Sequence, residues 1–202
     1  GTITASIDTD ETVTELKTLT GTTHAYTIVI AAGDATSSSA ADLNTINEKT
    51  TEAINASAIT ALTSDTIDNI KTLLTAGNNT DQFTDTSFAS LTGVTVSDET
   101  LDRSKLADAN DQSNSATGDT RVVFTISAAT TIEGSEANFT ALLTDDGNNQ
   151  IDIDDQNISV SGTISVDNAN LLDAATLGTI TASIDTDETV TELKTLTGTT
   201  HA

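Results

Sequence analysis

Residues 1–25 read GTITASIDTDETVTELKTLTGTTHA, and the same residues return without a single change as residues 178–202. Residues 1–177 therefore make one period, and residues 178–202 begin the next. Recurrence of a long stretch at a fixed interval is typical of repeat architectures, in which each unit packs mainly against its neighbours. We therefore expect a segment of a tandem array with a structural or adhesive role, whose first partners are neighbouring copies of the same repeat.

The acidic composition decides which partners are excluded. The chain has 31 Asp and Glu residues against 7 Lys and Arg residues, a formal net charge of −24. This charge repels phosphate backbones, so nucleic acid is not an expected partner. Salt or divalent cations outside the cell would screen such a surface. No apolar run approaches the roughly 18 residues of a membrane-spanning helix, so we expect no membrane span in this segment.

The sequence offers little material for catalysis. Cys is absent, and His24 is the only histidine apart from its copy, His201. With no cysteine and one histidine per period, no catalytic set of nucleophile, histidine and acid can be proposed. No serine lies in a Gly-x-Ser-x-Gly context. We therefore do not expect an enzyme.

Short strand patterns alternate with short helical patterns. Runs rich in Val, Ile and Thr predict strands at residues 2–7, 26–31, 53–57, 93–96, 121–127, 158–166 and 179–184. Apolar residues spaced i, i+3, i+4 predict helices around Val13, Leu16 and Leu19; Leu43 and Ile46; Ile67, Ile70, Leu73 and Leu74; Leu101 and Leu106; Phe139, Leu142 and Leu143; and Leu171, Leu172 and Ala175.

The order of these elements predicts the fold class. Asp10, Asp65 and Asp98 precede helical runs as expected N-caps, and Gly21 and Gly77 follow them as expected stop signals. A helix between two strands favours parallel pairing. About six strand–helix units fill residues 1–177, a unit size typical of solenoids. We predict an α/β, solenoid-like stack of strand–helix units with parallel strands; the alternative is a series of tandem β-sandwich adhesin modules.

Two stretches resemble a known family. Residues 39–64 read SAADLNTINEKTTEAINASAITALTS, and residues 160–176 read VSGTISVDNANLLDAAT. Both are similar to repeat units of giant tandem-repeat cell-surface proteins of marine cyanobacteria. The resemblance implies very long extracellular arrays at the cell surface, connected with motility, adhesion or an outer coat. It implies no catalytic residue.

Two functional hypotheses follow from the repeat and the composition. The first is an extracellular structural protein whose periods stack end to end into a filament, stalk or surface coat. The second is a calcium-stiffened extender of a large adhesin whose ligand-binding tip lies elsewhere. Besides neighbouring copies of the repeat, a cell-surface or matrix polysaccharide is an expected partner.

One acidic stretch is a candidate metal site. Residues 145–155 read DDGNNQIDIDD and gather hard oxygen ligands in a turn that contains glycine, which is the chemistry that Ca²⁺ prefers. The spacing is not that of an EF-hand, and only half of a calcium-binding nonapeptide is present. A solvated acidic turn is the alternative. The candidate Ca²⁺ ligands are Asp145, Asp146, Asp152, Asp154 and Asp155.

Overall fold

Short strands alternate with helices in the computed structural model, which describes residues 1–116 and 122–198. The strands are β1 (Thr4–Ser6), β2 (Ala25–Thr27), β3 (Ala61–Asp65), β4 (Gly93–Val96), β5 (Thr100–Asp102), β6 (Val123–Thr125), β7 (Thr131–Ser135), β8 (Asn157–Ile164) and β9 (Ile180–Ile184). The helices are α1 (Val13–Leu16), α2 (Ala40–Asn47), α3 (Ile67–Gly77), α4 (Arg103–Ala116), α5 (Glu136–Gly147), α6 (Val166–Ala175) and α7 (Val190–Leu193).

All strand pairs among the described residues are parallel. The predicted α/β class with parallel strands is therefore confirmed. Sandwich modules require antiparallel sheets, and the described part of the chain has none.

The chain divides into two compact units. The first consists of Gly1–Val96 and Asp108–Thr125 and contains the sheets β1-β2 and β3-β4-β6. The second consists of Ser97–Ala107 and Ile126–Ala202 and contains the sheet β5-β7-β8-β9. In each sheet, neighbouring strands follow the order of the chain.

Apolar ladders run across these sheets. Register partners in the first unit are Leu62, Val94 and Phe124, and those in the second unit are Leu101, Ile132, Ile158 and Ile180. All of them are buried. Parallel strands in register place equivalent side chains beside one another on the same face. Each strand therefore needs few inward apolar residues, which explains how a chain with only 36% hydrophobic residues builds a buried core in each unit.

Most helical stripes lie where the spacing predicts. The buried residues of α3 are Ile67, Ile70, Leu73, Leu74 and Ala76. Helices α1, α2 and α3 pack as successive neighbours in the first unit, and α5 packs against α6 in the second. Leu171 is an exception: it is exposed, because Val166, Ala169 and Leu172 occupy the buried face of α6.

Hydroxyl side chains cap the described helices other than α4. Each cap accepts a hydrogen bond from the backbone N–H three residues later, at Thr12, Ser39, Thr66, Ser135, Ser165 and Thr189. The predicted caps Asp10, Asp65 and Asp98 are wrong. Thr12 and Thr66 cap α1 and α3, and Asp98 leads into β5 rather than into a helix. Asp65 instead accepts a hydrogen bond from the N–H of Ala41, at the start of α2, at 2.6 Å.

The two predicted stop glycines differ from expectation. Gly77 is the last residue of α3, and Asn78 is the C-cap. Gly21, at φ 92°, lies beyond the end of α1 at Leu16. A Cβ atom at Gly21 would lie 2.6 Å from the ring of His24. Gly21 therefore shapes the turn that seats His24, where a left-handed backbone requires glycine.

The strand predictions vary in accuracy. β4 has the predicted bounds, whereas predicted strand 53–57 makes only the isolated bridges of Ile54 with Phe83 and Asn55 with Val29. Predicted strand 158–166 ends earlier, at Ile164, because Ser165 caps α6. The sequence reading missed β3, β5 and β7, and Leu101 lies in β5 rather than on a helix. Residue 121 of predicted strand 121–127 lies outside the described residues.

Candidate metal site and stacking surfaces

The acidic turn between α5 and β8 brings three carboxylates together. Oxygens of Asp146, Asp152 and Asp154 lie within 4.8 Å of one another. Asp152 and Asp154 are exposed because they alternate with the buried Ile151 and Ile153. We call these three aspartates the acidic triad. Its geometry is suited to a hard cation with oxygen ligands.

Hydrogen bonds within the turn position the triad. The N–H of Ile153 donates to Oδ1 of Asp146 at 3.3 Å, and the N–H of Asp154 donates to Oδ1 of Asp152 at 3.1 Å. Burial raises the pKa of Asp146 above its ordinary value; the bond from Ile153 opposes that rise, and the charges of Asp154 and Asp152 add to it. A bound cation would reduce the electrostatic repulsion among the three carboxylates.

The other two candidate ligands lie outside the triad. Nη2 of Arg103 donates to Oδ2 of Asp145 at 2.6 Å, and the Arg103 side chain is buried. Gly134 leaves room for this arginine, because a Cβ atom at position 134 would lie 3.1 Å from Cβ of Arg103. Asp145 thus serves a buried ion pair, and Asp155 is an exposed residue of the same turn. The sequence analysis missed Arg103, which carried no motif.

A second set of carboxylates reaches the helix N-termini. Oδ2 of Asp34 accepts from the N–H of Val13 in α1 at 3.0 Å, as Asp65 does from Ala41 in α2. In the second unit, Oε1 of Glu188 accepts from the N–H of Val166 in α6 at 2.9 Å. Each acid lies 21 to 24 residues after the helix residue that it contacts. Negative charge is stabilising at a helix N-terminus, so part of the acidity is structural.

Glu136 joins α5 to α6. Its Oε1 accepts from the N–H of Ser165 at 2.9 Å, from Nδ2 of Asn168 at 2.7 Å and from Oγ of Ser165 at 2.8 Å. These bonds lower the pKa of Glu136 below its ordinary value, with the backbone bond of Ser165 contributing most. The carboxylate therefore favours the folded state when it is charged.

The contacts of His24 join two neighbouring segments of the chain. Its Nδ1 accepts a hydrogen bond from the N–H of Ile3 at 3.1 Å. Its ring lies edge-on to that of Tyr26, with centroids 5.3 Å apart. These contacts hold the segment before β1 against the segment that leads into β2. The copy of this residue, His201, lies outside the described residues.

The repeated segment places its strand in two different environments. Ile3 is 51% exposed, whereas its copy Ile180 is only 3% exposed. The reason is the neighbouring strand: β9 pairs with the preceding β8, which puts Ile180 beside Ile158. β1 pairs instead with the following strand, β2. The preceding strand, β8, therefore covers Ile180.

The helix of the repeated segment shows the opposite pattern. Val13 and Leu16 are 4% and 1% exposed, whereas their copies Val190 and Leu193 are 69% and 42% exposed. α1 packs against the following helix, α2. We call the surface of residues 178–198 that carries Val190, Leu193 and Leu196 the open surface. In the first copy, the following helix α2 therefore covers the equivalent residues Val13 and Leu16.

An apolar groove adjoins the open surface. It has a volume of about 220 Å³. Its lining residues all belong to the second unit: Ala169, Ile180, Ala182, Ile184, Leu196, Thr197 and Gly198.

Comparison with known proteins finds no matching family model, no similar curated protein and no similar solved structure. Within residues 1–116 and 122–198, every helix is too short or too polar to cross a membrane.

Proposed function

We propose that this chain belongs to an extracellular structural repeat protein whose periods stack end to end into a long filament, stalk or surface coat. One observation carries the proposal. In the second copy of the repeated segment, the preceding strand β8 covers Ile180. In the first copy, the following helix α2 covers Leu16. A copy with neighbours on both sides would bury both Ile180 and Leu193, as Ile180 and Leu16 are buried here.

The strand pairing continues across the boundary between the two periods, after residue 177. The ladder of Leu101, Ile132, Ile158 and Ile180 continues past residue 177 into the second copy. Glu188 binds the N-terminus of α6, and its copy Glu11 would do the same for a preceding period. These contacts support the proposal of a solenoid-like stack, in which each unit gains stability from its neighbours and the array grows in one dimension.

Charge and resemblance support the extracellular location. A net charge of −24 keeps long arrays soluble and apart in a medium rich in salt and cations. The cell-surface repeat proteins that residues 39–64 and 160–176 resemble occupy such a medium. In this role the protein supplies length and stiffness.

Electron microscopy of purified arrays of two, four and six periods tests the stacking. We expect continuous rods whose length grows by a constant increment per period. A matched array with Ile180→Asp at one internal boundary should show a hinge there, because a charge would enter the ladder. Separate globular particles joined by flexible linkers in the unaltered array would refute the proposal.

The acidic triad favours a second candidate, a calcium-stiffened extender of an adhesin that binds a cell-surface or matrix polysaccharide through another region. Calorimetric titration with Ca²⁺ tests the metal site. We expect heat of binding that Asp146→Asn or Asp152→Asn removes and that Asp155→Asn preserves. Equal binding by all variants would exclude the triad as the site.

A further inference from the structure

We propose that the buried ion pair of Arg103 and Asp145 fixes the register in which β5 pairs with β7, and that it contributes order rather than stability to the second unit. Both residues, and the Gly134 that makes room for the arginine, belong to that unit. The inference therefore concerns how one unit selects a single structure, and it is independent of the proposed stacking.

The apolar residues of β5 and β7 specify their register weakly. β5 buries only Leu101 and β7 buries only Ile132, and these two residues are register partners. A slip of one residue would turn every side chain to the opposite face of the sheet, so burial opposes it strongly. A slip of two residues would keep every side chain on its own face. Each strand therefore has only one apolar residue with which to resist that slip.

The next inward position in each strand removes this ambiguity. Two positions after Leu101 comes Arg103, whose side chain is only 1% exposed. Two positions after Ile132 comes Gly134, where a Cβ atom would lie 3.1 Å from Cβ of Arg103. The glycine thus leaves the space that the arginine occupies. A slip of two residues in either direction would take Arg103 away from Gly134.

The charge of the arginine selects the same register. Nη2 of Arg103 donates to Oδ2 of Asp145 at 2.6 Å. A slip of two residues would move the backbone at position 103 by about 7 Å along the strand, which is far more than a hydrogen bond can span. It would leave the buried guanidinium apart from its carboxylate, and a buried charge separated from its counterion is strongly destabilising. The observed register satisfies both the size and the charge of the side chain.

Both charges lie at helix ends that disfavour them. Arg103 is the first residue of α4, and Asp145 lies in the last turn of α5, which contains no basic residue. The helix dipole disfavours a cation at the N-terminus and an anion at the C-terminus. Among the side chains that the structure describes, no other Lys or Arg is buried. Local helix energetics therefore do not explain the pair, whereas selection of one strand pairing does.

Replacing both charges tests whether the pair supplies order or stability. Arg103→Met/Asp145→Leu substitutes apolar side chains, and such replacements of buried ion pairs often leave stability unchanged or raise it. Urea titration of the second unit, followed by hydrogen exchange of the amides in β9, should show an equal or higher midpoint. Asp145→Asn alone should lower the equilibrium constant for folding about 100-fold or more, because it removes the carboxylate from a buried guanidinium.

Paired cysteines report the register, because the chain has no cysteine of its own. Thr100→Cys/Thr131→Cys joins register partners, whose Cα atoms lie about 4.8 Å apart, within the range of a disulfide. Thr100→Cys/Glu133→Cys joins positions that are about 8 Å apart in this register and become partners only after a slip of two residues. In a glutathione redox buffer, the equilibrium constant for forming this second disulfide should be about tenfold or more higher with Arg103→Met/Asp145→Leu than without it.

The matched control removes an ion pair that solvent reaches. Lys71→Met/Asp108→Asn lies in the first unit and should leave oxidation of the Thr100→Cys/Glu133→Cys pair unchanged. Without introduced cysteines, NMR should show one set of amide resonances for β5 and β7 in the unaltered chain. Arg103→Met/Asp145→Leu should show more than one set, whichever way the strand slips.

Two results would overturn the proposal. A single set of amide resonances in Arg103→Met/Asp145→Leu, without oxidation of the Thr100→Cys/Glu133→Cys pair, would show that the apolar residues are sufficient to set the register. A lower urea midpoint or loss of cooperative unfolding in the same variant would show that the pair supplies stability rather than order.

Discussion

Replacing the same leucine in each copy of the repeated segment separates packing from local sequence. Leu16 is buried in α1, which packs against α2, whereas Leu193 in α7 is substantially exposed. The flanking residues are identical. Changes in helix propensity and in the unfolded chain are therefore the same for Leu16→Ala and Leu193→Ala. The difference between the two variants measures packing alone.

The expected magnitudes follow from burial. Leu16→Ala removes a fully enclosed side chain and leaves a cavity, so the free energy of unfolding of the first unit should fall by about 2–5 kcal/mol. Leu193→Ala removes surface that is already partly in water and leaves no enclosed cavity. Its cost to the second unit should be about 1 kcal/mol.

Urea titration of dilute protein provides the assay, with one local probe for each unit. Tyr26 is buried and is the only tyrosine in a chain without tryptophan, so its fluorescence reports on the first unit. Hydrogen exchange of the amides in β9 reports on the second. Equal losses for the two variants would refute the argument that the following helix decides burial.

Three further outcomes are expected. Leu73→Ala in α3 should cost about 2–5 kcal/mol in urea titration, whereas the exposed Thr75→Ala on the same helix should change stability by no more than about 0.5 kcal/mol; similar values for both would mean that the α3 stripe is not packed. Chelation of divalent cations at low salt should lower the melting temperature, and Ca²⁺ should restore it more than NaCl of equal ionic strength, except in Asp146→Asn; equal rescue by NaCl would indicate plain screening. Glu136→Gln should destabilise the second unit near pH 7, and its difference from the unaltered chain should shrink as pH falls through the lowered pKa of Glu136, because a depressed acid pKa stabilises only while the carboxylate is charged; a difference independent of pH between 7 and 3 in thermal melts would contradict this role.

Periodicity predicted the elements in which local pattern and burial agree. In α3, Ile67, Ile70 and Leu73 repeat at helical spacing and lie on one buried face. In β4, Val94 and Val96 alternate with the half-buried Gly93 and Thr95, and the predicted bounds are those observed. One-dimensional spacing is sufficient where a single face decides the conformation.

Strands made chiefly of polar residues escaped prediction. β7 has the sequence Thr-Ile-Glu-Gly-Ser and buries only Ile132. It is a strand because its backbone pairs with β5 and β8, which come from distant parts of the sequence. No local pattern records that pairing. Propensity for strands depends on such neighbours more than propensity for helices does.

The roles of charged residues were likewise set by tertiary contacts. Asp65 looks like an N-cap of α3 but binds the N-terminus of α2. Asp145 looks like a metal ligand but pairs with Arg103, which is 42 positions away. A carboxylate has several suitable partners, and only the fold decides which lies within reach. The sequence therefore located the acidic turn but not which of its five aspartates converge.

The unequal spacing of the ladder residues has a mechanical consequence. Leu62 and Val94 are separated by 32 positions, and Ile158 and Ile180 by 22. Tension that detaches one strand from the next would release the intervening chain, about 110 Å for the longer interval and about 75 Å for the shorter at roughly 3.4 Å per residue. A stretched molecule would therefore lengthen in steps of different size, and the size of each step would identify the strand that had come away.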